Sequence, residues 1–185
     1  MKWRARRVAR KLSNLIESGE SVLDFGAGTM LIAQALKRLK SISVQGVDVA
    51  DYHKAGIPLT LYDGKKMPFK KNSFDIVMAN FVLHHCADPN AALDECIRVA
   101  RKKLIIIEDV YHALLEKWLL CIDDWIANKI ECPSVSVPFH FKTAEQWQEL
   151  FEQRGLRIVS RTRIYPLPLH PIRSVTYLLE KRSNV

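Results

Sequence analysis

The chain has 185 residues, 48% of them hydrophobic, enough for one well-filled core and too few for two ordinary domains with a linker. A net charge of +8 favours anionic partners such as nucleic acid, acidic lipid or a negatively charged substrate without specifying one. Cys86, Cys96, Cys121 and Cys132 have neither zinc-type spacing nor a disulfide framework, apolar runs are broken before membrane-spanning length, and no signal-peptide pattern is present; the expectation is a single domain over 1–185 in a reducing cytoplasm.

In chain order, Lys2, Arg4, Arg6, Arg7, Arg10 and Lys11 lie opposite Val8, Leu12, Leu15 and Ile16, which predicts a basic amphipathic helix within 1–18 with a solvated charged face. Ser21 to Phe25 is a strand, followed by a helix from about Thr29 to Leu39 with Ile32, Ala35, Leu36 and Leu39 inward. Ile42 to Asp48 and Leu59 to Tyr62 are the next strands, and Asp63-Gly64 is a turn. Phe74 to Ala79 is apolar enough to be buried on both faces. Asp88-Pro89 supplies an N-cap and a first-turn proline for a helix to about Ala100, and Leu104 to Ile107 is the fifth strand.

From Tyr111 to Ile130, Leu115, Trp118, Leu119, Ile122, Trp125 and Ile126 recur at helical spacing, the usual mark of core packing. Thr143 and Gln146 form a capping box before Trp147, Leu150 and Phe151, and Gly155 closes that helix. Leu156 to Tyr165 and Val175 to Lys181 are the last strands, joined through the proline-rich link Pro166 to Pro171. That link is too short for a crossover helix, so this pair is expected to be antiparallel.

Alternation of strand and helix predicts an α/β sandwich with a mostly parallel sheet. Gly26 and Gly28 follow the first strand directly, where the backbone must turn sharply and admit a ligand. Asp48 ends the next strand, and an acidic group there accepts hydrogen bonds from ribose hydroxyls. The third glycine of a dinucleotide fingerprint is missing, since Thr29, Met30 and Leu31 follow Gly28. Asp63, at a strand end, lies where it can accept from an adenine amino group.

These segments resemble a known family. Val22 to Thr29, Gly46-Val47-Asp48, Asp63 to Phe69, Ser73 to Val77, and Val82-Leu83-His84-His85 with Asp88-Pro89 look like the successive motifs of class I S-adenosylmethionine-dependent methyltransferases of the type 11 domain kind. The resemblance covers roughly residues 20–109. It implies a Rossmann-like three-layer sandwich, its seven-stranded sheet in order 3-2-1-4-5-7-6 with the last strand antiparallel. It also implies S-adenosylmethionine as cofactor and S-adenosylhomocysteine as product. Asp24, Gly26, Ala27 and Gly28 would meet the methionine part, Asp48 and Val49 the ribose side, and Asp63 with Gly64 the adenine. Asn80 and Phe81 would lie near the sulfonium. Ala27 stands where the family often has Cys. Met30 stands where glycine is usual, and its side chain either crowds the methionine carboxylate or turns into the helix–sheet interface.

Methyl transfer from a sulfonium is an in-line displacement that depends on positioning, and a base is needed only where the acceptor must lose a proton. His84 and His85 are candidate bases with a structural alternative, and His140 is a second candidate with a packed-loop alternative. Asp109 either orients an amine or water or caps the following helix. Residues 110–142 are expected to be a substrate cover, with Tyr111, His112, Trp118 and His140 lining the acceptor pocket. Asn80-Phe81-Val82-Leu83 lacks the Asn/Asp-Pro-Pro-aromatic pattern of amino-methyltransferases acting on adenine or glutamine amides. No metal is expected. A small-molecule acceptor is the first reading, with RNA and a catalytically silent cofactor-binding protein as alternatives.

Overall fold

Apolar residues along the central strands alternate between two cores, one on each face of a sheet. Val22, Ile76, Met78, Ile105 and Ile107 enter one core, while Leu23, Phe25, Val77, Ala79, Leu104 and Ile106 enter the other. A computed structural model of the chain describes residues 2–131, 138–164 and 173–182. The strands are β1 (Ser21–Phe25), β2 (Ser43–Asp48), β3 (Leu59–Leu61), β4 (Phe74–Asn80), β5 (Ala100–Val110), β6 (Leu156–Ile164) and β7 (Arg173–Lys181). They form one seven-stranded sheet in the order β3-β2-β1-β4-β5-β7-β6. β1 to β5 pair in parallel, and β7 runs antiparallel to both β5 and β6, as the short final connection required. The Pro166 to Pro171 link, Tyr165 and Cys132 lie outside the described residues.

Helices α1 (Lys2–Ser13) and α2 (Leu31–Leu39) supply Val8, Leu12, Ala33 and Leu36 to one core. Helices α3 (Pro89–Val99) and α5 (Ala144–Gln153) supply Leu93, Cys96, Trp147 and Phe151 to the other. Their ends are chemically fixed. The Asp88 side chain accepts from the Asn90 and Ala91 amides, and Thr143 with Gln146 makes the reciprocal capping box. Gly155, at φ +70°, ends α5 in the left-handed region.

Four expectations are corrected. The basic helix ends at Ser13, and Ile16 is buried beyond it rather than on it. α2 begins at Leu31 because Met30 adopts φ +56°; Ala33 is buried and Leu39 is 48% exposed. β5 is longer than Leu104–Ile107 because β7 pairs with it from Lys103 to Val110. α4 (Leu114–Glu131) starts later than Tyr111, and its apolar stripe faces outward: Leu115, Trp118, Leu119, Ile122, Trp125 and Ile126 are all exposed, while Leu120 is buried. Hydrophobic period identifies a face, not what that face meets. No helix among the described residues is long and apolar enough to cross a membrane.

Met30 occupies the space that Gly46 of β2 leaves open. A Cβ on Gly46 would stand 2.5 Å from Met30 Cε and 2.9 Å from Ala27 Cβ. Gly46→Ala should therefore lower stability by about 1–3 kcal/mol through overpacking. Met30→Ala in the same chain should return part of that loss as a non-additive term in a urea-unfolding double-mutant cycle.

Candidate active site

In a parallel sheet the crevice for ligands lies beyond the carboxyl ends of the strands. β1 delivers its chain there into a tight turn: the Gly26 and Ala27 amides donate to the Val47 carbonyl at 2.9 and 3.2 Å. Gly26 has φ +62°, and a Cβ on it would lie 2.0 Å from Val82 Cγ2, so only glycine fits between the turn and the segment after β4. At Gly28, φ +47°, an added Cβ would meet nothing within 4 Å, which leaves that backbone open to approach. Asp48 binds the two strand ends together, its carboxylate accepting from the Gly28 and Val49 amides, each at 2.7 Å. Met30 is buried in the helix–sheet interface against Gly46, which decides between the two directions its side chain could take.

Two further acidic groups occupy this edge. Asp24 is buried at the end of β1; loss of solvent and the charge of Asp48 hold its carboxyl well above the ordinary range. Its side-chain donor among the described residues, Asn80 Nδ2, lies at 3.4 Å and offsets this only in part. Asp63 is exposed and accepts from the Lys65 and Lys66 amides at 2.9 and 3.3 Å, shaping a turn in which Gly64 has φ +80°. A Cβ on Gly64 would sit 3.4 Å from Val49 Cγ1, so these two candidate contacts are neighbours. Phe81 has φ +57°, and the Arg4 guanidinium stands 5.1 Å from its ring centroid. That contact brings α1 over the edge and qualifies the solvated reading of its basic face, which holds for Lys2, Arg6, Arg10 and Lys11.

A second cluster lies just past β4. His84 and His85 fall in a single 3-10 turn, Leu83–His85. Glu108, fully buried near the end of β5, takes the Val82 and Leu83 amides at 3.2 and 2.8 Å and His84 Nδ1 at 2.5 Å. The ring of Phe141 stacks on that of His84 with centroids 4.4 Å apart, and the His140 amide donates to the His84 carbonyl at 3.1 Å. From α4, Asp124 Oδ1 stands 3.7 Å from His84 Nε2 and 3.4 Å from His85 Nε2. Burial opposes the charged form of His84, but Glu108 and Asp124 outweigh it and raise its pKa to about 10. Asp124 is conversely held below the carboxylate range by the two histidines, against the effect of its own burial.

The expected site residues thus divide. Asp24, Gly26, Ala27, Gly28, Asp48, Val49, Gly64, Asn80 and Phe81 are linked by contacts along one sheet edge, and Asp63 shapes the turn beside them. His84, His85 and the His140 segment come together in the second cluster. Tyr111 is half-buried, with Lys117 Nζ 5.4 Å from its ring, and His112 lines a surface cleft with Glu145, Arg161 and Arg173. Trp118 belongs to the exposed stripe, 70% exposed. Asp109 does not cap α4: it accepts from Ser174 Oγ at 2.5 Å, and burial pushes it up to about 6. Arg4, the anchoring role of Glu108 and the position of Asp124 were not foreseen. Asp124 carries a faint signal, as an acidic residue within a helix otherwise rich in apolar side chains.

The methyltransferase-domain family model matches residues 23–107, which run from β1 into β5 and contain both clusters except Arg4, Glu108, Asp124 and the His140 segment. Over those residues the chain is similar to the type 11 methyltransferase-domain family that its motifs resemble. S-adenosylmethionine is the cofactor of that family. Among relatives, the demethylmenaquinone methyltransferase of Corynebacterium efficiens is 35% identical over 104 residues, 54% of this chain and 44% of the relative. That of Thermotoga maritima is 27% identical over 183 residues, 85% of this chain and 77% of the relative. The chain thus spans less than half the length of the first of these. Among solved structures, a Haloferax volcanii protein described as a putative methyltransferase in complex with the Trm112 methyltransferase activator aligns with a TM-score of 0.75 at 18% identity. That alignment covers 98% of this chain and 92% of the other, and at such identity the likeness is one of fold.

Removing a buried hydrogen-bonded carboxyl leaves its donors unsatisfied. Glu108→Ala should cost about 3–5 kcal/mol in chemical denaturation, the scale of breaking one side of a buried charged pair.

Proposed function

We propose that this chain transfers the methyl group of S-adenosylmethionine to a small-molecule acceptor. The observation that carries this reading is the coupling of Asp48 to the glycine turn through the Gly28 amide at 2.7 Å, which presents an acidic group and an open backbone side by side. In this reading the Asp24 carboxylate meets the methionine ammonium, Gly26 to Gly28 line the methionine tail, Asp48 with Val49 holds the ribose, and Asp63 with Gly64 meets the adenine. Asn80 and Phe81 border the sulfonium. The methyl carbon is already activated by positive sulfur, so the protein's task is to hold the acceptor in line with the departing sulfide.

A proton acceptor serves where the acceptor atom carries a proton. His84 is tied to Glu108 and raised to about 10, which fits a positioning group. His140 is the base we favour, with Tyr111 and His112 beside the acceptor and exposed Trp118 outside that set. The relatives named demethylmenaquinone methyltransferases support an aromatic quinol as acceptor class. The free thiols of Cys86, Cys96 and Cys121 fit a cytoplasmic setting. RNA is the second reading, favoured by exposed Lys2, Arg6, Arg10 and Lys11 on α1.

Calorimetric titration should show S-adenosylmethionine binding, weakened in Asp48→Ala by about 1–3 kcal/mol. Failure of the folded chain to bind would remove both enzyme readings and leave a silent fold. Because the carboxylate form of Asp24 is the one that binds, affinity should fall on acidification through a pKa above the usual aspartate range, and Asp24→Asn should abolish that dependence. In a radiolabelled transfer assay the label should enter a reduced naphthoquinone and not tRNA. His140→Ala should lower kcat by about 100-fold or more if it is the base; label in tRNA, with steeply salt-dependent binding, would reverse the choice of acceptor.

A further inference from the structure

Two imidazoles and a carboxylate converge at a point that the proposed cofactor contacts do not use. His84, His85 and Asp124 each offer one ligand atom, and these atoms all lie within 4.8 Å of one another. We propose that His84 Nε2, His85 Nε2 and Asp124 Oδ1 form a binding site for a divalent first-row transition-metal ion such as zinc.

The donor chemistry selects the class of ion. Calcium and magnesium prefer all-oxygen shells, whereas a set of two imidazole nitrogens and one carboxylate oxygen suits zinc or ferrous iron. The two carboxylate–imidazole spacings also agree. Metal–ligand bonds of about 2.0–2.1 Å in a tetrahedral arrangement separate neighbouring donors by about 3.3–3.4 Å. Asp124 Oδ1 lies 3.4 Å from His85 Nε2 and 3.7 Å from His84 Nε2, so a shift of a few tenths of an ångström brings both edges to that length. The second distance is too long for a hydrogen bond.

His84 is built as a ligand rather than as a packed ring. Its side chain is only 1% exposed, Glu108 takes its Nδ1 at 2.5 Å, and Phe141 fixes the ring plane by stacking. That leaves Nε2 directed at the cluster, buried and without a hydrogen-bond partner. A carboxylate behind a histidine is the usual support of a metal-bound imidazole, because it fixes the tautomer and strengthens the donor. The His85 and Asp124 side chains are 14% and 15% exposed, which provides a path for the ion. Three protein ligands leave a coordination position for water or an acceptor oxygen, as in catalytic rather than structural sites. The ion would also join α4, through Asp124, to the turn after β4.

The test uses the full chain without a histidine tag, stripped with chelator and titrated with Zn2+ against a chromophoric competitor. One equivalent should bind, Co2+ should give visible ligand-field bands in its place, and saturation should slow proteolysis within α4. His85→Ala and Asp124→Ala should each weaken binding more than 100-fold, and Glu108→Gln, which alters the support of His84, by about 10–100-fold. His53→Ala, at the surface pair with Asp51, should change nothing. The proposal fails if the folded, chelator-treated parent takes up no stoichiometric metal, or if His85→Ala and Asp124→Ala bind as the parent does. Titration of the zinc-free chain with S-adenosylmethionine reports on the cofactor independently, so the two readings can fail separately.

Discussion

A buried carboxyl group organises the functional edge of this protein. Glu108 is removed from solvent, a position tolerable only because its oxygens take two backbone amides and one imidazole. Those bonds fix the course of the chain immediately after β4, and everything on either side follows. They set Val82 where its side chain fills the hollow over Gly26, and they aim His84 across the end of β5. The glycine turn and the histidine cluster are therefore two consequences of one anchor, although they are far apart in sequence. Replacing Glu108 alters both at once, whereas a change at Gly26 meets Val82 first.

The same edge holds backbone strain. Met30, Phe81 and Phe139 all have φ near +56° without being glycine, a conformation costly for a residue with a Cβ. At Met30 the compensation is visible: the side chain is buried over Gly46, and the left-handed turn delays the start of α2 to Leu31. Glycine, usual there in the resembled family, would adopt the turn without strain but leave that space empty. The substitution thus exchanges conformational ease for core packing and leaves the open side of Gly28 untouched. At Phe81 the amide is held by the Ile107 carbonyl at 2.7 Å, so pairing with β5 maintains the turn.

Much of this was legible in the sequence because it rests on short-range rules. The strands of the parallel core announce themselves as apolar runs, the caps at Asp88 and Thr143 as local chemistry, and the Gly26 turn as a glycine pair between strand and helix. Met30 could be assigned only as two alternatives, since its direction depends on what lies opposite, and Gly46 is on another strand. Leu39 was misplaced because it shares a helical face with Ala35 and Leu36 but is the last residue of α2, where that face is no longer covered. Asp109 carried the chemistry of a cap but found Ser174, which antiparallel pairing of β5 with β7 sets opposite it. Arg4 and Asp124 were invisible for the same reason: their partners come from tertiary packing, and no pattern within their own helices names Phe81 or His84.

α4 shows most clearly how a correct pattern can support the wrong inference. Its apolar stripe is real, but among its described side chains Leu120 is the hydrophobic one that is buried, and two of its polar side chains reach toward the protein. Glu116 lies 3.6 Å from Arg173 and Asp124 faces the two histidines. Partly exposed pairs of the first kind contribute about 0–1 kcal/mol, far less than the burial that fixes α3 or α5. α4 is accordingly the helix least firmly held by packing, and it stands beside the opening to the His84–His85–Asp124 cluster. Its polar face rather than its hydrophobic one thus determines how readily that cluster is covered, and any ligand that draws Asp124 toward the histidines tightens the cover as it binds.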